Sequence, residues 1–305
     1  MIGPTLVAAP RETDLLRALA ESGALLGAAE EEEKVACGAW VSPADRSIVL
    51  GRLQHAGRVL TSLDPGGWTV ARRASTGTAV ALDGALVVSV ALPAIDTVFR
   101  DATMRTVVNR NVRLLLAGLR SASVAAAYFG REWIAWQRRP LAVLGLEMTP
   151  SGAVLLEAFF TLRGSLALPR ELTTDAERAV DRYPGKVTAS LAEAVGERAP
   201  LDVARAIVDG IVERVGSETL DLKAIAGARG SETAEVGRVT SLESPLPEGA
   251  HAAAPRHVPI GWLDLARTPA GMWVGGDVLA PSFALGLGAP PPDGAPMEGA
   301  SWEDV

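Results

Sequence analysis

Arg72 and Arg73 open the stretch of this chain best suited to chemistry. Six small residues follow them, Ala74, Ser75, Thr76, Gly77, Thr78 and Ala79, within TVARRASTGTAVALDGALVVSVALP at 69–93. Small side chains let main-chain N–H groups approach an anion, and guanidiniums add forked donors of permanent charge. The pattern points to phosphate or carboxylate recognition. The same residue types also build an ordinary hairpin turn carrying two solvated arginines. Other reactive residues are sparse. Cys37 is the single cysteine, which excludes an internal disulfide framework and fits a reducing compartment; its place in a strand reads as a core thiol rather than a nucleophile. The histidines are isolated and no Cys or His pair has ligand spacing, so no metal site is expected. His55 reads as a surface or hydrogen-bonded residue, and the acidic run at 30–33 as a solvated helix end. Lysine occurs only at Lys34, Lys186 and Lys223.

The elements that must position the arginine loop are legible from periodicity. Residues 69–93 read as strand, tight polar loop, strand, closing in an apolar run at 85–92. Before them, 12–33 has helical spacing, with Leu15, Leu16, Leu19, Leu25 and Leu26 as the apolar stripe and Thr13 or Asp14 as N-cap. Residues 34–40 and 47–54 read as two strands separated by a turn at 43–45. A long helix is expected at 99–119, then strands at 124–130, 131–136 and 141–145. The segment 154–162 alternates in a two-residue register, Leu155, Glu157, Phe159 and Thr161 against Val154, Leu156, Ala158 and Phe160. Helices are expected at 175–183, 187–195 and 202–216. The architecture implied is α/β (α+β), with a mixed β-sheet flanked by helices on one face and 40–168 forming one domain. The division expected is a main domain at 1–225, a Gly/Ser/Glu/Pro/Ala-rich linker at 226–257, a small β-hairpin or returning strands at 258–285, and a disordered tail at 286–305.

A chain of 305 residues with an apolar share of 48% can bury a sizeable core. Net charge of -7 and a pI near 5.2 argue against a nucleic-acid surface. Apolar runs are too short for a span of about 20 residues, and the N-terminus has no charged region leading an apolar core. A soluble cytoplasmic protein, without a membrane partner, is expected.

Three blocks in order carry a resemblance. They are CGAWVSPADRSIVLGRLQ at 37–54, the arginine loop, and YFGREWIAWQRRPLAVLG at 128–145. Together they resemble the lipoate-protein ligase and biotin-protein ligase superfamily over 40–168. Its lipoate ligases show a tryptophan-led strand ending in a V-L-G-R-x-Q-like segment, then R-R-x-S-G-G-G-A-V, then a strand bearing a lysine. The resemblance implies a class II synthetase/biotin ligase-like fold. It also implies that Arg72, Arg73, Ser75, Thr76, Gly77, Thr78 and Ala79 grip an acid and a nucleotide phosphate, in a cleft shared with 128–139. The activity implied is lipoyl or octanoyl transfer to a carrier-domain lysine through an acyl-adenylate, with lipoate or octanoate as substrate. ATP and Mg are implied only for an active ligase, and a lipoyl carrier domain is the implied partner.

This sequence departs from the family at its chemistry. The lysine of a G-R-K-like step corresponds to Pro140, after Arg138 and Arg139. Thr76 and Thr78 replace two of the three glycines, and Leu82 stands where a histidine commonly follows. Three readings stay open: an acyl ligase or transferase with Arg138 or Arg139 supplying the charge, a non-catalytic binding member of the fold, and a structural partner subunit.

Overall fold

Between Ala85 and Leu92 the chain has no polar face. Leu86, Val88, Val90 and Leu92 enter one apolar cluster while Val87 and Ala91 enter another on the opposite side. A strand apolar on both faces must be covered on both, and the computed structural model shows how. It describes residues 3–64, 66–216, 219–221, 236–242, 246, 249–258, 261–269 and 271–280.

The strands are β1 (Thr5–Glu12), β2 (Ala36–Leu50), β3 (Thr69–Arg72), β4 (Val80–Leu92), β5 (Ala126–Tyr128), β6 (Trp133–Trp136), β7 (Arg139–Met148), β8 (Val154–Arg163), β9 (Thr219–Asp221), β10 (Gly237–Arg238), β11 (His251–Ala252), β12 (Arg256–Val258), β13 (Gly261–Thr268) and β14 (Gly271–Gly276). The helices are α1 (Leu15–Glu32), α2 (Ala56–Val59), α3 (Val107–Ser121), α4 (Asp175–Arg178), α5 (Leu191–Val195) and α6 (Pro200–Val215). Among the described residues, a ten-stranded mixed sheet runs β10-β3-β2-β4-β8-β7-β6-β5, with β1 parallel to β2 and β9 parallel to β1. A second, antiparallel sheet joins β11, β13, β12 and β14. No described helix is long and apolar enough to cross a membrane.

Helices cover both faces of the large sheet, not one. Leu15, Leu19, Leu25 and Leu26 of α1 pack with Trp40, Val87 and Phe159 on one side. On the other, α3 and α6 pack together over Val88, Leu156 and Phe160. The alternation expected in 154–162 is met: Val154, Leu156, Ala158 and Phe160 face α3 and α6, and Leu155 and Phe159 face α1.

Several boundaries differ for local reasons. The expected turn at 43–45 is a bulge inside one long β2, because both halves keep antiparallel pairing with β4 on either side of a register shift between Ser42 and Arg46. β1 was hidden by Pro10, which lies where the register to β2 slips and beyond the pairing with β9. Asp14 caps α1 by accepting Arg17 N–H at 2.9 Å. The helix expected from 99 begins at Val107, after a 3₁₀ turn with a Thr103/Thr106 capping box. The helix expected at 175–183 stops at Arg178, and that expected at 187–195 starts only at Leu191, where Ser190 and Glu193 form a capping box. Within the span expected as linker, β10 pairs with β3 and β11 with β13. The rest of that span at 226–235, and the tail at 286–305, lie outside the described residues.

Two buried polar knots hold the layers in register. Under α1, Ser22 lies 2.6 Å from Ser89, and Ser22 and Ser75 both donate to the carboxyl of Glu157, which is fully buried. Burial raises the Glu157 pKa above its ordinary 4.5, against the hydrogen bonds and the Arg73 charge. In the second knot Arg182 reaches Glu177 at 2.6 Å and Asp277 at 3.1 Å, tying the segment after β14 to the large sheet's flank. Burial works against the Arg182 charge, yet Asp277 and Glu177 outweigh it and raise its pKa.

Arg182→Ala leaves two buried carboxylates without their cation and is expected to cost about 3–5 kcal/mol in denaturant unfolding; a loss under 1 kcal/mol would contradict the knot. For Glu157 the sign is the reverse of an ion-paired carboxylate. Its folded state binds the proton more tightly than the unfolded chain, so its contribution is full below 4.5 and is lost as pH rises through the raised folded value. Glu157→Gln is expected to remove that decline. Unfolding curves for both proteins with the same slope from pH 4 to 8 would disprove it.

Candidate functional site

The arginine loop lies down on the sheet instead of standing clear of it. Arg73 N–H donates to Leu50 O at 3.0 Å, Arg52 N–H to Ser75 O at 2.8 Å and Thr76 N–H to Leu146 O at 2.9 Å. Such close backbone approach requires glycine beneath the loop. A Cβ on Gly51 would collide with Gly77 O, and one on Gly145 with Ser75 Oγ. Gly77 itself has φ +117, open to glycine and strained for other residues. Thus the V-L-G-R-x-Q block serves the loop directly. Gly51 makes the room, Gln54 accepts Gly51 N–H at 2.7 Å and donates to Asp277, and Arg52 pairs with Glu147 at 2.9 Å.

Both arginines are engaged by main-chain carbonyls. Arg72 Nη1 donates to the carbonyls of Gly51 (2.7 Å), Arg52 (3.0 Å) and Gln54 (2.8 Å). Arg73 is fully buried with its guanidinium 4.8 Å above the Phe159 ring, and Nη2 reaches Thr78 O at 3.0 Å and Thr76 O at 3.2 Å. Burial lowers its pKa to about 10, with Glu157 and Tyr183 pulling the other way. Ser75, Thr76, Thr78 and Ala79 are buried too. Thr76 Oγ1 is within 2.8 Å of Leu146 O and 2.7 Å of Ala280 O, and accepts Ala280 N–H at 3.1 Å. The residues after β14 therefore lie across the loop.

Unsatisfied donors remain inside. Arg73 Nε and Nη1, Arg182 Nη1 and Tyr183 Oη have no hydrogen-bond partner among the described residues. Tyr183 feels both guanidiniums electrostatically, and burial raises its own pKa. Its ring stands edge-on to Trp133 at 5.6 Å. Unpaired buried donors are costly, and those on a cation more so.

Two cavities open on either side of that aromatic pair. One, of about 380 Å³, is lined by Tyr183, Arg182, Glu177, Arg170, Arg178 and Lys186 among others. The other, of about 460 Å³, is lined by Phe129, Arg131, Trp133, Ala135, Arg138, Pro184 and Lys186. Arg131 lies 4.7 Å over the Trp133 ring, and Phe129 is 66% exposed. The second cavity thus has an aromatic floor and a cationic rim.

The expectation of one cleft shared by the loop and 128–139 is corrected. The later segment lines the second cavity, but Arg72, Arg73, Ser75 and Gly77 do not. Arg73 points inward behind Phe159, and the segment after β14 covers the loop. Arg138 does reach the cavity, from a two-residue turn in which Gln137 (φ 49) and Arg138 (φ 63) are left-handed. Arg139 does not. It bonds Thr188 O at 2.6 Å and pairs with Glu193 at 2.8 Å, so its charge fastens the segment before α5. Pro140 is buried at the start of β7, its carbonyl accepting Ala189 N–H at 2.7 Å. Cys37 is a fully buried thiol pushed up to about 12 by burial. His55 stands at the N-cap of α2 without a side-chain cap bond. Among the described residues no group of three or more His, Cys, Asp or Glu is placed to hold a metal ion, and no step is assigned to one.

Glu157, Arg182, Tyr183 and Lys186 escaped the sequence reading. Glu157 was visible as a carboxylate in an apolar register, and Lys186 as one of three lysines. Nothing local marked Arg182 or Tyr183, whose spacing looked helical.

No protein-family model and no curated protein sequence matches the chain. Solved structures do. LipL1 of P. falciparum in complex with lipoate aligns at 14% identity and a TM-score of 0.62, over 89% of this chain and 84% of that one. A bipartite lipoate-protein ligase of Thermoplasma acidophilum, studied with its E2 lipoyl domain, aligns at 18% identity and 0.56, over 72% and 87%. Lipoate-protein ligase A bound with ATP aligns at 17% and 0.54, over 72% and 88%. At such identity the likeness speaks for the fold alone: the chain has the α+β fold of the lipoate-protein ligases with which it aligns, a large mixed sheet flanked by helices.

Proposed function

We propose that this chain binds a lipoyl- or octanoyl-type carboxylic acid, or its activated form, and passes the acyl group to a lysine of a lipoyl carrier domain. The carrying observation is a pair of cavities with cationic walls, one of them lined by Arg182 and Tyr183, whose Nη1 and Oη are buried donors without partners among the described residues. The acid's anionic head would satisfy those donors, while Trp133, Ala135 and Phe129 offer an apolar wall of suitable size for a short acyl chain. Related folds are solved with lipoate and with ATP, which supports the same ligand classes here.

In this reading ATP is a substrate. An oxygen of the acid's carboxylate bonds to the α-phosphorus of ATP and pyrophosphate leaves. The carrier lysine nitrogen then bonds to the acyl carbon, the carbon–oxygen bond to AMP breaks, and the nitrogen loses its proton to solvent. Arg138, on the cavity rim, steadies the charge of the phosphate; Arg139 is too firmly engaged with Glu193 to share that role. A second reading, a binding protein without transfer, is favoured by the buried Pro140 and by Ala280 hydrogen-bonded to Thr76 across the loop.

Calorimetry with a non-hydrolysable octanoyl-adenylate mimic tests the site. Tyr183→Phe keeps the ring and removes one donor, and is expected to weaken binding about ten-fold; unchanged affinity would refute the site. Mass-detected transfer of octanoate or lipoate to an apo-lipoyl domain, with and without ATP, separates the two readings. ATP-dependent transfer that Arg138→Ala lowers supports the ligase, and binding without transfer supports the second.

A further inference from the structure

The family's lysine position holds Pro140, buried in the sheet, so the ammonium must come from elsewhere if the chain transfers acyl groups. Only three lysines exist in the sequence. Lys34 pairs with Glu32 at 3.0 Å beyond the end of α1, and Lys223 lies outside the described residues. Lys186 lines both cavities that flank Tyr183 and Trp133. It shares one with Arg131 and Arg138, and the other with Tyr183 and Arg182. Its exposed side chain follows Gly185, which has φ +60, in a turn closed by Lys186 N–H donating to Tyr183 O at 2.8 Å. The turn therefore fixes the Lys186 backbone at the wall of the cavity that Tyr183 also lines, through a main-chain bond that leaves the ammonium unused.

We propose that Lys186, supplied by the loop between α4 and α5, is the catalytic cation of the acyl-transfer site. The proposal rests on the ligase reading above. A flexible ammonium between the two cavities can stay with the oxygen that carries developing charge, first on the phosphoryl group as the acid's oxygen attacks it, then on the acyl carbonyl as the carrier amine attacks. A lysine moved from a strand to a facing loop keeps the charge while changing the backbone that delivers it. Arg138 adds charge at the rim of one cavity, whereas Lys186 lines both.

The test uses the full chain, octanoate, ATP and an apo-lipoyl domain, with single-turnover transfer and calorimetry of the adenylate mimic read in parallel. Lys186→Ala is expected to lower the transfer rate by about 10²–10³, the usual effect of losing one transition-state donor, with mimic affinity changed less than about ten-fold. Lys186→Cys is expected to be equally slow and to recover after alkylation with bromoethylamine, which rebuilds an ammonium of nearly lysine length. Cys37 does not confuse the rescue, because it is fully buried with its thiol pushed up to about 12. Transfer by Lys186→Ala within two-fold of the wild type, or no recovery on alkylation, overturns the proposal while leaving the ligase reading intact. Wild-type binding of the mimic without any transfer overturns it and favours the non-catalytic reading. Neither binding nor transfer in the wild type removes both.

Discussion

Arg73 buried beneath its own loop is the constraint on which the site is built. A guanidinium taken fully out of water must find acceptors, and this one finds the carbonyls of Thr76 and Thr78 together with the Phe159 face. For those carbonyls to turn inward the loop has to close over the arginine, and for the loop to close the sheet beneath must offer backbone without side chains. Gly51 on one side and Gly145 on the other meet that demand, since a methyl group at either would strike the loop. The buried carboxyl of Glu157 then lies close enough to temper the Arg73 charge, while Ser22 and Ser75 satisfy its oxygens. Helix α1, the loop and β8 are joined through that one carboxyl. Arg73 Nε and Nη1 are left without partners among the described residues.

Where the sequence was legible, the reason is that a local pattern met a local constraint. Residues 154–162 alternate because β8 has an apolar layer on each side, and the two sets of residues went to the two layers as their register required. The strand–loop–strand reading of 69–93 held because small residues between two apolar runs leave few alternatives. Reading failed where a distant partner decides. Residues 43–45 carry turn chemistry, yet β4 pairs with the chain on both sides of them and irons the turn into a bulge. Likewise 179–183 has helical spacing, but the charges of Glu177 and Asp277 draw Arg182 inward and the chain leaves the helix after Arg178. Asp277 lies 95 residues from Arg182 in sequence, a separation that no window of neighbouring residues reveals.

The arginines show the same division between type and placement. Their identity suggested an anion-binding loop on sequence, and the fold is that of the lipoate-protein ligases with which the chain aligns. Their placement could not be read, because an Arg-Arg pair in an extended segment sends its two side chains to opposite faces. Arg72 goes to the carbonyls at the end of β2, and Arg73 goes under the loop. Arg72 thus braces the end of β2, while Arg73 holds its own loop from beneath.

The threonines in the loop also change meaning once the chain beyond 270 is in place. By themselves Thr76 and Thr78 look like losses, since a branched Cβ crowds a phosphate that glycine would admit. In the structure the Thr76 hydroxyl is the point where Ala280 docks, through one bond to its N–H and one to its carbonyl. Asp277 fixes the same segment from the other end through Gln54, Arg182 and the N–H of Trp262. A glycine at 76 would have left that segment with an unpaired backbone. The loop is therefore roofed by the chain's own later residues, and the open cavities lie on the side where Tyr183, Trp133 and Lys186 stand. The same roofing sets where charge could act: the strand at Pro140 faces packed chain at Ala189, whereas Lys186 in the turn at 185–186 faces the open cavities.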